Sequence, residues 1–578
     1  MKLHNFIKNI FSGLYLSLRR FPVTILLSAL TAAILIVISE TRPMEDTLAK
    51  LAMVIALGIP LSLCIKFFLE RKAYNKTFTA AALYLSGVLV LILYYLFFLQ
   101  DFRMIAITRY IAVSIILYLA FIYIPYLPKR DNFEAYVITL FSNFFITVIY
   151  SMVLFAGLSA ILFAIDNLLG IKIQGEVYYY TWLTVVFIFA VSYFLSGVPN
   201  QEDNLNFKSY PKLLKILLLY IVMPLLSAYT IILYIYFIKI IVTRQWPINI
   251  VTNLVLWYSV ISALVLFFIT PIKESISWAK TFIKLFPKLI IPILAMMFIS
   301  ISIRIKAYGI TENRYFVLAL AVWVLGVMIY FSLAKNYKNI IILVSLSLIT
   351  LISVLGPISS YSVSKLSQNS RLEGILARNN MLKDGAVQPS DNISKEDRVE
   401  VSSILNYFEK NHTLKEVKNL PVDFKIEDMN KVLGFAFENP YNGGSDNYFY
   451  FRRIDSNKAL DIKGYDYLFD RSSLLEGGKT SSNTLELTFD YDPAVVRINL
   501  EGKQIYKNDF SSFINNLVEK YGTLSRENNL PSEAMTLVDE NDKVKVKILI
   551  THISGMKDRS SGKLNSKDID FYILVKIK

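Results

Sequence analysis

Apolar residues run through the first 357 positions in long blocks, and the blocks stop at one place. They fall at about 21–39, 48–69, 78–99, 104–127, 135–165, 177–198, 213–238, 247–270, 284–303, 315–333 and 340–357. Each is long enough to cross a hydrocarbon layer of roughly 30 Å as a helix. The last, Ile340 to Leu355 followed by Gly356-Pro357, carries no charge. Beyond it Lys365, Arg371, Glu373, Arg378 and Lys383 alternate with Val363, Leu366, Leu372, Ile375 and Leu376, the spacing of an amphipathic helix and not of a span. Ahead of the first block, Phe6, Ile7, Ile10, Phe11, Leu14 and Leu18 share one helical face, which predicts a surface-lying helix within residues 1–20. The first block is predicted to be retained as a signal anchor, since Glu40, Glu45 and Asp46 follow it with no small-residue cleavage site.

The pattern changes again after residue 392. A junction and linker over 358–392, with Gly385 and Pro389, leads to Ser394-Lys-Glu-Asp397, a capping box ahead of Val401, Ile404, Leu405 and Phe408; this predicts a helix over about 395–410. Lys425 to Ala436 is a second helix candidate. After Asn439-Pro-Tyr-Asn-Gly-Gly444 the period shortens to two, and strands are predicted at Tyr448–Arg452, Asp461–Tyr467, Leu485–Asp490, Val495–Leu500, Val544–Ile553 and Asp570–Ile577, with a helix over Phe510–Tyr521. The fold class is therefore an α-helical polytopic membrane domain of about eleven spans over 21–357, followed by a soluble α+β domain over 393–578.

Charge gives this architecture a direction. The chain has 54% hydrophobic residues and a formal charge of +15, yet from Ile358 onward 31 basic residues face 32 acidic ones, against 29 and 13 before it. The basic excess lies in short loops, where cytoplasmic retention and lipid contact account for it; a nucleic-acid partner would want it on a soluble face. The loops holding Arg19, Arg20, Lys66, Arg71, Lys129, Arg130, Lys273 and Lys280 fall on one side, and an odd span count sends the carboxy-terminal domain to the other. The expected placement is the bacterial inner membrane, with the amino terminus cytoplasmic and residues 358–578 extracytoplasmic.

Candidate chemistry is sparse. No Asp, Glu, Lys, Arg or His falls at the centre of a predicted span, which disfavours proton-coupled transport. Pro224, Pro287 and Pro292 bend their spans. Asn143, Ser142 and Asn253 are packing or pore groups. With three histidines, His4, His412 and His552, and a sole Cys64 in the second span, no metal cluster, thiol nucleophile or disulfide is assembled, and no cofactor is implied. Two groups of residues remain. Arg304, Lys306, Tyr308, Glu312 and Arg314 lie between the ninth and tenth blocks; with Gly309 they form a candidate docking surface for the junction helix, through Glu373 or Asp384, or a lipid-phosphate site. In the soluble domain Asp461, Tyr465, Asp466 and Asp470 cluster about Gly464 as a candidate carbohydrate or cation site, a tyrosine-rich sheet edge being the alternative.

Arg304-Ile-Lys-Ala-Tyr-Gly-Ile-Thr-Glu-Asn-Arg-Tyr315, Trp323, Gly356-Pro-Ile-Ser-Ser-Tyr361 through Arg371-Leu372, and Met381-Leu-Lys-Asp-Gly385 resemble an uncharacterised family of bacterial multi-pass membrane proteins, domain of unknown function 4153. The resemblance covers most of 20–385 and implies an inner-membrane location, with no activity, cofactor or catalytic residue attached. Three classes of function stay open: an envelope sensor, scaffold or accessory protein that presents its domain to an envelope protein partner; a transporter or flippase for a lipid or neutral solute; and a membrane-embedded enzyme acting at the outer surface. Membrane lipids are partners in all three.

Overall fold

A computed structural model describes residues 12–41, 46–72, 77–127, 132–200, 210–244, 251–438, 448–454, 459–471, 479–482, 485–491, 494–521, 529–557 and 564–578. Residues 1–11 of the expected surface helix and the Asn439–Gly444 turn lie outside them; residues 12–20 are helical. The chain forms two compact units, Met1–Gly374 with Phe408–Lys418, and Ile375–Tyr407 with Asn419–Lys578.

The first unit is a helical bundle. Its described helices are α1 Pro22–Glu40, α2 Asp46–Lys72, α3 Thr77–Phe98, α4 Met104–Tyr123, α5 Phe133–Leu169, α6 Gly175–Ser196, α7 Lys212–Thr243, α8 Val251–Ile269, α9 Ser277–Tyr308, α10 Glu312–Leu333 and α11 Ile340–Val354, followed by α12 Ser360–Arg378. The first ten are long and apolar enough to cross a membrane. The eleventh is not: its 15 residues rise about 22 Å at 1.5 Å each, because Gly356, at φ +86°, and Pro357 end the helix early. It nevertheless carries the chain to the α9–α10 end of the bundle, where the Tyr315 hydroxyl donates to the Ile358 carbonyl (2.5 Å) and the Tyr361 hydroxyl to that of Ile105 (3.5 Å).

The fifth block, expected as one tilted helix or as a span with an extension, is a single helix of 37 residues. Two spans widen locally into π-helix, Val185–Ala190 within α6 and Leu217–Val222 within α7. The second has a plain cause: Pro224 has no N–H and crowds the carbonyl four residues back, so the turn before it opens. The first has no proline, and the Ser28 hydroxyl of α1 donates to the Phe187 carbonyl inside that turn. The core runs through α7–α10, where Met223, Val255, Leu266, Ile293, Met297 and Met328 are fully buried. At the end opposite the α9–α10 connection, Arg20 grips Glu70 through Nε (3.1 Å) and Nη2 (2.9 Å) and donates to the Val198 carbonyl (2.7 Å), tying the entry of α1 to the ends of α2 and α6.

The second unit contains α13 Lys395–Asn411 as far as Tyr407, a short α14 Met429–Leu433 and α15 Ser511–Tyr521. Its described strands are β1 Leu382–Lys383, β2 Ala386–Val387, β3 Tyr448–Arg453, β4 Tyr467–Asp470, β5 Lys479–Ser482, β6 Leu485–Tyr491, β7 Ala494–Leu500, β8 Lys503–Asp509, β9 Asn529–Leu530, β10 Thr536–Glu540, β11 Val544–Lys557 and β12 Leu564–Ile577. One sheet runs β4-β12-β11-β3-β9 with β10 also on β11; another is the meander β5-β6-β7-β8. Alternate residues of both sheets, Phe449, Phe451, Ile548, Ile573, Leu487, Val496 and Ile498 among them, share one core with Ile514, Leu517 and Val518 of α15.

Two expectations are corrected here. Asp461–Tyr467 is a turn and not a strand, because Gly464 sits at φ +84° and the Asp461 carboxylate accepts the Lys463 N–H (3.0 Å); the strand starts only at Tyr467. The helix expected over Lys425–Ala436 is a 3-10 turn, Ile426–Asp428, and the five residues of α14.

Candidate functional site at the α9–α10 connection

The connection is three residues long. Helix α9 ends at Tyr308, Gly309 adopts φ +67° and ψ 179°, and α10 starts at Glu312 after Thr311. That backbone region is open in practice to glycine alone. It leaves the carbonyls of Tyr308, Gly309 and Ile310 without helical partners, and α12 supplies them. Gln368 Nε2 donates to the carbonyls of Tyr308 (3.1 Å) and Ile310 (3.0 Å), and the Ile310 N–H donates to Ser367 Oγ (2.9 Å). Arg314 donates to the carbonyls of Tyr308 (3.2 Å) and Gly309 (2.9 Å), and Arg371 to that of Tyr308 (3.2 Å).

The junction helix α12 keeps part of its expected apolar face inward, since Leu372, Ile375 and Leu376 are buried, and adds polar residues to it. Ser360, Ser364 and Gln368, one turn apart, are buried, while Leu366 is 61% exposed. A helix that lies on irregular backbone must offer donors and acceptors there, and Ser367, Gln368 and Arg371 do so.

Of the five residues singled out here, Tyr308 and Arg314 belong to this network, and Glu312 bonds His412 instead. The Arg314 and Arg371 guanidinium carbons stand 5.5 Å and 5.9 Å from the Tyr308 ring centre, and Arg304 adds its charge to the same neighbourhood. Lys306 is exposed. The contacts to α12 run through Ser367, Gln368 and Arg371, not through the expected Glu373 or Asp384.

Glu312 leads to a residue that sequence reasoning passed over. It is 2% exposed, and its Oε1 lies 2.7 Å from Nε2 of His412, which is wholly buried. Around the pair, the Glu416 carboxylate receives Lys365 Nζ (2.6 Å), Asn369 donates to the Glu416 carbonyl (3.0 Å) and accepts the Lys418 N–H (2.8 Å), and Arg103 donates to the His412 carbonyl (3.4 Å). Arg109 stands over the Tyr361 ring at 4.9 Å, and burial raises the Tyr361 phenol above its ordinary range, with Glu312 adding to the rise. Residues 408–418 are thereby built into the membrane unit. By sequence His412 is only one of three scattered histidines; the sign to look for was a lone histidine and a lone glutamate at the mouth of an apolar segment.

Gly309→Ala is expected to loosen this arrangement by about 2–3 kcal/mol, since a left-handed backbone costs an L residue about 1–2 kcal/mol and overpacking adds to it. A Cβ there would stand 2.8 Å from Gln368 Nε2 and 3.1 Å from Ser367 Oγ. Amide exchange along Ser360–Gly374 of the purified chain reads the change, and parent-like protection would show that the bonds carry nothing.

In the second unit the other predicted residues take up backbone work. Asp461 closes its turn, and Asp466 ties the start of β4 to the end of β12, its N–H donating to the Val575 carbonyl (2.9 Å) and its Oδ2 accepting the Ile577 N–H (3.0 Å). Tyr465 lies in the same turn, its N–H on the Ile462 carbonyl (3.1 Å), and Asp470 ends β4 opposite Tyr572. A cluster not foreseen lies at the irregularities of β11: Arg471 meets Asp568 (2.8 Å) and Asp570 (3.2 Å), and His552 Nε2 meets Asp568 (3.0 Å), with Tyr450 stacked on the His552 ring. The hydrogen bond from His552, with help from Arg471, holds the Asp568 carboxyl below its usual range.

No curated protein and no solved structure matches the chain. One family profile does, over residues 25–392, which takes in all the long apolar helices but the first few residues of α1, together with α12. The chain therefore belongs to the family described as domain of unknown function DUF4153.

Proposed function

We propose that this multi-pass membrane protein is an accessory protein of the bacterial envelope that presents its carboxy-terminal unit, outside the cytoplasm, to a protein partner. The observation that carries the reading is the mount at the α9–α10 connection. Ser367, Gln368 and Arg371 from α12, and His412 with Glu416 from a later segment, are spent on holding chain beyond the last membrane helix against the bundle. A segment that merely threads past the bundle needs no buried histidine bonded to a buried glutamate. The orientation is supported by the basic residues at the Arg20 end of the bundle and by the exit of α11 at the other end.

The test has two arms in growing cells. A reporter active only outside the cytoplasm, fused after Lys578, is expected to be active. A photoreactive residue at Val538 or Leu468, both large apolar side chains exposed on the second unit, is expected to give one discrete protein adduct. A silent reporter overturns the orientation; an active reporter with no adduct from either position overturns the partner reading.

A further inference from the structure

Within the bundle, α1, α2, α4, α5 and α6 enclose a cavity of about 590 Å³ whose wall is almost entirely apolar. Its lining follows α5 from Val137 to Phe155, a rise of about 27 Å at 1.5 Å per residue. On the antiparallel α6 it runs from Trp182 to Leu195, about 20 Å. Both lengths exceed one leaflet, which is about 15 Å, half of the hydrocarbon thickness. The cavity is therefore long in the direction of the helices, and it opens sideways: Met152 on its rim is 66% exposed on a helix whose surroundings are lipid.

Two features separate this cavity from a packing flaw. The π-helical turn Val185–Ala190, which no proline forces, contributes Val185, Val186 and Ala190 to the wall, so α6 is widened where it borders the cavity. Ser151, also on the wall, is 8% exposed and its hydroxyl has no hydrogen-bond partner. Thr147, in the turn before it, bonds back to the Asn143 carbonyl (2.7 Å), as many serines and threonines of these helices do to a carbonyl three or four residues earlier. A buried hydroxyl left unpaired costs about 1–3 kcal/mol, and a ligand bearing one oxygen removes that cost.

We infer that this cavity seats a single long hydrocarbon tail of a membrane lipid, extended along α5 and α6 across the bilayer midplane, with an oxygen at its root bonded to Ser151. The inference is independent of the accessory role above. The length of the wall and the unpaired hydroxyl of Ser151 set the chemistry, a linear tail with one oxygen at its head, which both an acyl lipid and a polyprenyl phosphate possess.

Trp182 on the rim makes the occupant visible. The full chain, with Trp246, Trp257, Trp278 and Trp323 replaced by Phe, is reconstituted into phosphatidylglycerol vesicles doped with chain-brominated phosphatidylcholine. Trp182 fluorescence is expected to be quenched to a plateau at a few per cent brominated lipid, and Ser151→Phe, which fills the cavity, is expected to turn the plateau into a straight line. One per cent of a polyprenyl phosphate that relieves the quenching assigns the seat to a prenyl tail; quenching that persists assigns it to an acyl tail. Quenching that rises in proportion to brominated lipid in the unblocked protein overturns the inference, whether or not Ser151→Phe folds.

Discussion

Glu312→Ala is expected to release residues 408–418 from the membrane unit at a cost of about 3–5 kcal/mol, the range for removing one partner of a buried charged or hydrogen-bonded pair. The magnitude follows from where the partners sit. His412 is wholly buried, so water cannot replace the lost side chain, and the ring nitrogen that faces it would lose its partner. Glu312→Gln, which keeps an acceptor of the same shape, is expected to cost only about 1 kcal/mol, the net worth of an ordinary hydrogen bond. The paired change Glu312→Leu with His412→Phe removes both polar groups and is expected to recover most of the loss. Trypsin cleavage at Lys410, Lys415 and Lys418 of the intact chain reads all three: fast for the alanine variant, slow for the other two. Equal rates in parent and Glu312→Ala would show that the segment is held by its surroundings and not by the pair.

Gly434→Ala is expected to unfold part of the second unit, at about 3 kcal/mol or more. Gly434 ends α14 at φ +85°, a conformation that costs an L residue about 1–2 kcal/mol. A Cβ there would also lie 2.6 Å from the Ser390 nitrogen and 2.7 Å from its carbonyl carbon and oxygen. Backbone cannot swing aside as a side chain does, and the Ser390 N–H is fixed by its bond to the Leu433 carbonyl (3.0 Å); overpacking of this kind adds about 1–3 kcal/mol. Gly502→Ala is the control. Gly502 has a similar φ of +80° but nothing within 4 Å of the added carbon, so it should show the backbone cost alone. Urea unfolding of the full chain, followed by amide exchange in β11, separates the two, and equal losses would refute the steric argument.

The membrane helices were legible because each buries its backbone within one uninterrupted apolar run, and a run of that length has no other stable form in lipid. The eleventh kept its place but not its length, since Gly356 ends a helix locally, whatever the hydropathy around it. The same locality explains why the second unit has a strand at Lys503–Asp509 that the pattern did not predict and lacks the one expected at Asp461–Tyr467. Lys503–Asp509 has only Ile505 and Tyr506 to offer a strand pattern, and it pairs with β7 because Glu501-Gly502, both at positive φ, form the tight turn that a hairpin needs. Asp461–Tyr467 carried the alternation of a strand, and the Gly464 turn overrode it.

The candidate site was half legible. Arg304 to Arg314 stood out as mixed charge about a glycine, and Tyr308 and Arg314 share one set of hydrogen bonds while Glu312 bonds His412. The other half came from a hundred residues further along the chain. Periodicity reports which face of a helix is apolar; it does not report that Ser367, Gln368 and Arg371 are turned to meet the backbone of a broken helix, nor that one histidine finds one glutamate.

The return of residues 408–418 to the membrane unit has a consequence for the order of events on the ribosome. The last apolar helix ends at Val354, yet Glu312 waits for a partner that is synthesised only when the chain has reached His412. At about 5–20 residues per second, translation to Lys418 takes roughly 3–13 s more, and for that interval a fully inserted bundle holds Glu312 at one face without His412. The newborn membrane unit is thus marked as unfinished by its own chemistry, and it loses the mark only when the domain that follows has begun to emerge.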